Sequence, residues 1–469
     1  MKRFILIFVG LLCLTLLSAL PAYSDSLLQK AKSGNAEAQY YIGRAYYEGN
    51  GVKKDYNQAF PWFKSAAEKG ITEAQYWMGN CYYEGKGTKQ DYNEAFRWYK
   101  PAAEQGLPEA QYMLGNCYYY GRGVKQDYNE AFRWFKAAAE QGNADAQCNL
   151  GICYYYEQGV KQDYNEAFRW YKAAAEQGDA YAQYNLGYCY YYGQGVKQDY
   201  YEAFRWYKPA AEQGLAEAQN NLGICYLNGE GVQQDYYEAF CWFKAAAEQG
   251  DAEAQNNLGN CYYLGVGVNQ DYNEAFRLYK AAAEQGNADA QCRIGNCYYL
   301  GEGVKQDYNE ALRWFKAAAE QGYAYAQYNL GMRYLNGEGV KQDYNEAFRW
   351  FKAAAEQGNA DAQCNLGICY ANGYGAKQDY KEAFRWFKAA AEQGNYRAQY
   401  AIGVCYELGQ GVKQDYKEAY YWHLISYRNG YTDAEQDVKS IENKLTYQQK
   451  QEVQNRVNDW FKTHPKVKG

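Results

Sequence analysis

A period of 36 residues governs this chain. Glycine recurs at Gly34, Gly70, Gly106, Gly142, Gly178, Gly214, Gly250, Gly286, Gly322, Gly358, Gly394 and Gly430, with no insertion between any two. Residues 35–430 are therefore eleven copies of one unit. A unit this short cannot bury an apolar face by itself, so its copies must stack into a continuous core. That constrains the fold more tightly than a length of 469 residues, which alone would suggest several globular domains.

The copy at 143–178, NADAQCNLGICYYYEQGVKQDYNEAFRWYKAAAEQG, shows how each unit folds. Asn143 suits the N-cap of a first helix, because its side chain can accept from an unpaired backbone N–H. Ala146, Leu150, Cys153 and Tyr154 follow at i, i+4, i+7 and i+8, the spacing of a buried helical stripe. Gly151 lies on that stripe in every copy. Glycine inside a helix costs about 1 kcal/mol against alanine, so its recurrence predicts that two backbones touch there. Gly159, also invariant among the copies, marks a loop position of positive φ. Asp163 and Glu166 form the pattern of a capping box for a second helix. Ala167, Phe168, Trp170 and Ala174 form its expected buried side, and Gly178 ends it.

The fold class this predicts is all-α: a right-handed α-solenoid superhelix of eleven 36-residue helix hairpins. Beyond Gly430, Ala434 and Val438 keep the register, and Thr446 opens a helix with Val453, Val457, Trp460 and Phe461 on one side. Residues 25–34 are the expected N-terminal cap, 35–430 the repeats and 431–469 the C-terminal capping helices. Pro61, Pro101 and Pro209 fall inside second helices, where loss of a backbone donor predicts a kink.

Residues 1–24 stand outside the period. Lys2 and Arg3 precede an apolar run from Phe4 to Leu20, and Ala22 and Ser24 suit the −3 and −1 positions of a cleavage site. That is the pattern of a secretory signal peptide; an uncleaved anchor is the alternative, with a run of marginal length for a span. No later segment is apolar enough to cross a bilayer. The expected location is outside the cytoplasm: periplasmic, secreted or at the cell surface.

Ala146, Leu150-Gly151, Tyr154, Gly159-Val160, Asp163, Ala167, Trp170, Ala174-Ala175 and Gly178 together resemble the Sel1-like repeat, and the resemblance recurs in all eleven units. The helix from Leu445 to Trp460 is similar to the end of exported bacterial members. The resemblance implies an adaptor. Members include endoplasmic-reticulum quality-control scaffolds, envelope secretion scaffolds and bacterial surface or secreted proteins that engage host proteins, one of which binds secretory immunoglobulin A. It implies no particular ligand, because the motif encodes the solenoid. A cysteine-rich branch once associated with β-lactamase activity carries paired cysteines in each unit, and this chain departs from that pattern.

Several chemistries are disfavoured by composition. Two histidines leave little room for His-dependent catalysis or a His-ligated metal. A formal charge of −6, with cations scattered among anions, gives no footprint for nucleic acid. No nucleophile–base pair or phosphate-cradling loop appears, so neither an enzyme, a cofactor nor a metal is expected. Nine cysteines share one repeat position: Cys81, Cys117, Cys153, Cys189, Cys225, Cys261, Cys297, Cys369 and Cys405. Equivalent residues on stacked helices stand about 9–10 Å apart, too far for a disulfide. Two readings stand for them, small buried apolar residues or disulfides between non-equivalent positions. Cys241 replaces a surface arginine and is the expected accessible thiol.

Where the copies differ, a binding surface should lie. Position six of the unit carries Tyr40, Tyr76, Tyr112, Cys148, Tyr184, Asn220, Asn256, Cys292, Tyr328, Cys364 and Tyr400. Position thirteen carries Tyr119, Tyr155 and Tyr191, and position fourteen Tyr120, Tyr156 and Tyr192. Taking six, ten and thirteen as one outer face, the expectation is a concave Tyr/Asn groove with the chemistry of a paratope. The expected contact residues are Tyr112, Tyr119, Tyr120, Tyr155, Tyr156, Tyr184, Tyr191 and Tyr192. A protein partner is expected; a glycan or cell-wall ligand is the alternative, because tyrosine also stacks on sugar rings. The competing reading packs these rings between repeats.

Overall fold

The computed structural model describes residues 23–464, so the expected signal peptide lies outside it except for its last two residues. Every regular element among the described residues is helical: twenty-five α-helices and one short 3-10 turn. The helices alternate as first and second members of hairpins, and the chain divides into two units, Met1–Gln234 and Asp235–Gly469.

The fourth repeat is typical. Its first helix is Ala144–Tyr155 and its second Tyr164–Glu176. Asn143 Oδ1 accepts from Ala146 N–H at 2.8 Å, as an N-cap should. Asp163 Oδ1 accepts from the N–H groups of Asn165 and Glu166 at 2.9 and 3.2 Å. The capping box is only half formed. The Asp163 N–H donates instead to the Tyr154 carbonyl at 3.1 Å, and Glu166 pairs with Arg169 at 3.2 Å.

Leu150 and Cys153 bury themselves in one cluster with Ala131, Phe135 and Ala138 of the preceding second helix. Tyr171 and Ala174 do the same with Ala182, Leu186 and Cys189 of the following first helix. The core is thus built between repeats, which is why one copy could not hold itself together. Tyr171 is the buried aromatic of the second helix, while Phe168 and Trp170, expected there, are half-buried. Phe168 meets the next repeat edge-to-face through Tyr190, with ring centroids 5.3 Å apart. The same pair recurs as Phe132–Tyr154 and, in the second unit, as Phe240–Tyr262. Position twelve therefore couples repeats rather than closing its own hairpin.

Gly151 does not bring two backbones together. A Cβ there would stand 2.6 Å from the Tyr171 ring of its own hairpin, so the glycine leaves room for the aromatic core residue. Gly159 is needed twice over: its φ is +72°, and a Cβ would lie 2.0 Å from the Tyr128 carbonyl of the preceding repeat. The helices holding Pro101 and Pro209 run the same thirteen residues as Tyr128–Glu140, which has alanine at that place.

A polar clamp accompanies the apolar core. Gln147 Nε2 donates to the Ala139 carbonyl at the end of the preceding second helix, at 3.1 Å, while its Oε1 accepts from Gln177 Nε2 at 2.8 Å. The arrangement recurs as Gln111 with Ala103 and Gln141, and in the second unit as Gln291 with Ala283 and Gln321. It satisfies a helix-end carbonyl that burial would otherwise leave unpaired.

At the C-terminal side the helix Tyr447–Thr463 starts with a complete capping box between Thr446 and Gln449. Its Val453 and Val457 are buried with Ala419, Tyr420, Leu424, Ile425 and Ile441. Helix Asp25–Lys32 packs Ala31 against Ala38 and Ile42. The thirteen described cysteines are free thiols, twelve buried and Cys241 half-buried. Burial pushes thiols such as Cys117 and Cys153 up to about 12, which keeps them protonated.

Candidate functional site

The expected contact residues separate into three tiers. Tyr120, Tyr156 and Tyr192, each at position fourteen, project into solvent with 57%, 64% and 54% of their surface exposed. Each stands edge-on to the tyrosine before it, at centroid distances of 4.9, 4.7 and 4.9 Å. Those supporting rings, Tyr119, Tyr155 and Tyr191, are half-buried and tied to the following loop. Tyr119 donates to Gln158 Oε1 and Tyr191 to Glu230 Oε2, both at 2.6 Å, and Tyr155 donates to Gln194. Burial raises the pKa of all three hydroxyls, which therefore remain donors.

Tyr112 and Tyr184, at position six, form the third tier. They are half-buried, 6.1 Å from Phe135 and 6.0 Å from Tyr207. Position six is not on an outer face: Cys148, Cys292, Cys364, Asn220 and Asn256 are all buried there. The reason is the stack itself. This flank of each first helix faces the next first helix, as Asn185 does when it reaches toward Cys148 Sγ at 4.0 Å.

Tyr188, at position ten of the expected face but not among the expected contact residues, joins the set. Its ring lies 4.4 Å from Tyr192 and 6.4 Å from Tyr155, and it lines a cleft of about 100 Å³ with Tyr155, Tyr156, Tyr171, Tyr184 and Asn185. Arg122 adds a cation 5.0 Å above the Tyr120 ring. In the second unit, position fourteen is again apolar and exposed at Leu264, Leu300 and Leu408.

The second unit also holds a larger cavity, about 460 Å³, lined by Tyr263, Tyr279, Asp289, Cys292, Arg293, Asn296, Tyr323 and Tyr325. It opens where the repeat breaks its own pattern. Asn256 and Cys292 stand at position six, where six of the eleven copies carry a tyrosine ring. Arg293 replaces the asparagine found at Asn257 and Asn329, Tyr323 stands where most copies have Asn, Asp or Leu, and Tyr325 where most have Glu or Asp. Asp289 gathers three donors: Arg293 Nε at 3.2 Å, Asn256 Nδ2 at 2.9 Å and the Tyr323 hydroxyl at 2.8 Å. Departure from the consensus at positions one, three and seven was the available signal.

Among the described residues, no three His, Cys, Asp or Glu side chains gather as a metal site, and no helix is long and apolar enough to cross a membrane.

The repeat pattern described as Sel1 repeat matches eleven times, at 36–71, 72–107, 108–143, 144–179, 180–215, 216–251, 252–287, 288–323, 324–359, 360–395 and 397–431. Among solved structures, a protective antigen of uropathogenic Escherichia coli displaying an SLR fold is similar, with 37% identity and a TM-score of 0.78. That alignment covers 96% of this chain and 98% of the antigen. The secretory immunoglobulin A-binding protein EsiB of Escherichia coli O6:H1 (strain CFT073) is 45% identical over 58 residues, a stretch spanning only 12% of this chain and 12% of that protein. With its eleven matches and hairpin stacking between repeats, the chain belongs to the Sel1 repeat family.

Proposed function

We propose that this protein is an exported bacterial adaptor without enzymatic activity, and that it holds a protein partner on the tyrosine tier of its first unit. One observation carries the reading. Tyr120, Tyr156 and Tyr192 are large side chains left more than half exposed at the same position of three successive repeats. A solvent-facing aromatic row has no role in the core, whereas exposed tyrosine offers large contact area at low entropic cost. The supporting rings pack edge-on against the row before a partner arrives, and such packing lowers the ordering cost of binding. Export rests on the signal-like pattern of residues 1–24. The similarity to EsiB, a secretory immunoglobulin A-binding protein, makes that immunoglobulin the first partner to assay.

The test compares residues 25–469 with the variant Tyr120→Ala, Tyr156→Ala, Tyr192→Ala. These side chains are exposed, so the variant is expected to melt with the unmodified protein. Binding to immobilised secretory immunoglobulin A, and capture from host and bacterial lysates, should fall at least tenfold if the row supplies a hot spot of about 1.4 kcal/mol or more. Equal binding by both chains would remove the tier from the interface.

A further inference from the structure

The cavity of the second unit has a chemistry of its own, independent of the tyrosine tier. Its walls come from three successive first helices, Ala252–Leu264, Ala288–Leu300 and Ala324–Asn336, with Tyr279 from the second helix Tyr272–Glu284. A volume of about 460 Å³ lies within the range of small-molecule sites. We propose that it binds a small carboxylate carried on a ring-sized body, with Arg293 gripping the carboxylate.

Arg293 is presented for this task. Asp289 takes only its Nε, and the same carboxylate is held in place by Asn256 and Tyr323. The two terminal nitrogens of the guanidinium donate to no protein acceptor among the described residues. They form the fork that meets a carboxylate bidentately. Among the described residues, Asp289 and Arg293 are the only charged ones on the wall, so their charges offset. A monoanion can be met by the two terminal nitrogens of Arg293, whereas a phosphate dianion would lack a second cation. The remaining wall is mainly tyrosine, with the Tyr279 ring centroid 5.9 Å from Arg293 Cζ and the Asn296 amide nearby. Such a wall receives the flat or hydroxylated face of a ring.

The repeat supplies its own control. Arg293→Asn installs the residue of Asn257 and Asn329, and Tyr325→Glu restores the acidic type of Glu253 and places a second anion at the cavity. Phenylacetate and D-glucuronate are the probes, phenylacetamide and D-glucose their neutral counterparts, followed by saturation-transfer NMR and calorimetry on the full mature chain. At least one carboxylate is expected to bind saturably, with its neutral counterpart at least about tenfold weaker. Which of the two binds distinguishes an aromatic from a sugar body. Both variants should abolish the preference while keeping the melting transition, and if Arg293→Asn shifts it, Tyr325→Glu carries the comparison. Absence of saturable binding by either carboxylate up to about 10 mM, or an unchanged preference in the folded variants, overturns the proposal.

Discussion

A methyl group at Gly151 would meet the buried Tyr171 ring at 2.6 Å, whereas at Gly178 it would meet nothing within 4 Å. The two glycines recur equally often, yet different physics keeps them. Gly151→Ala should cost about 1–3 kcal/mol through overpacking, and Gly178→Ala about 1 kcal/mol through strain at positive φ. Denaturant midpoints of the two variants will show whether Gly151→Ala is the more damaging. His423 offers a second residue-scale test. It takes the place of Phe387 under the matching glycine, Gly403, and both ring nitrogens are buried without a hydrogen-bond partner. Burial lowers its pKa from 6.5, against the opposing pull of Asp437 and Glu407. Below pH 6.5 the unfolded chain takes up the proton first, so this contribution to stability is present above that pH and is lost as pH falls. His423→Phe should remove the loss. Its advantage over the unmodified chain should grow between pH 7.5 and 5, by at most about 1.4 kcal/mol per pH unit.

At the scale of the helix, the glutamine clamp is the feature that periodicity conceals. Gln147 lies one place after Ala146 of the apolar stripe, and a pattern search reads it as a polar residue beside the core. The fold gives it two partners at once, the Ala139 carbonyl and the Gln177 amide. Gln147→Ala should destabilise by about 1–3 kcal/mol, the cost of leaving buried polar groups unpaired. Gln177→Ala should cost less, because Gln177 is exposed and water can replace it. A double-mutant cycle on urea midpoints will measure the coupling between them. The capping pattern carries a similar lesson. Asp163 caps its helix as its place in the unit predicts, but Glu166 does not close the box, because the Asp163 N–H already serves Tyr154.

For the molecule as a whole, the all-α class, the eleven hairpins and the helix opening at Thr446 were legible in the sequence. A constant period and an i, i+4, i+7, i+8 stripe leave one local solution, and every copy repeats the evidence. The candidate sites were legible only in part. Tyr119, Tyr120 and Tyr112 are the same residue type on one helix, and nothing local distinguishes a ring that supports a neighbour from one that meets solvent or one wedged against Phe135. That division depends on the following repeat, which covers position six, ties down position thirteen and leaves position fourteen more than half exposed at Tyr120, Tyr156 and Tyr192. The Arg293 cavity depends on stacking too, since Asn256, Asp289 and Tyr323 belong to three different repeats and meet only when these pack. What the sequence determined alone was the unit and its copy number, because helix periodicity, caps and loop glycines act within 36 residues. Which side chains stay exposed was settled by the stacking of the repeats, because burial here is set by neighbours a full repeat away.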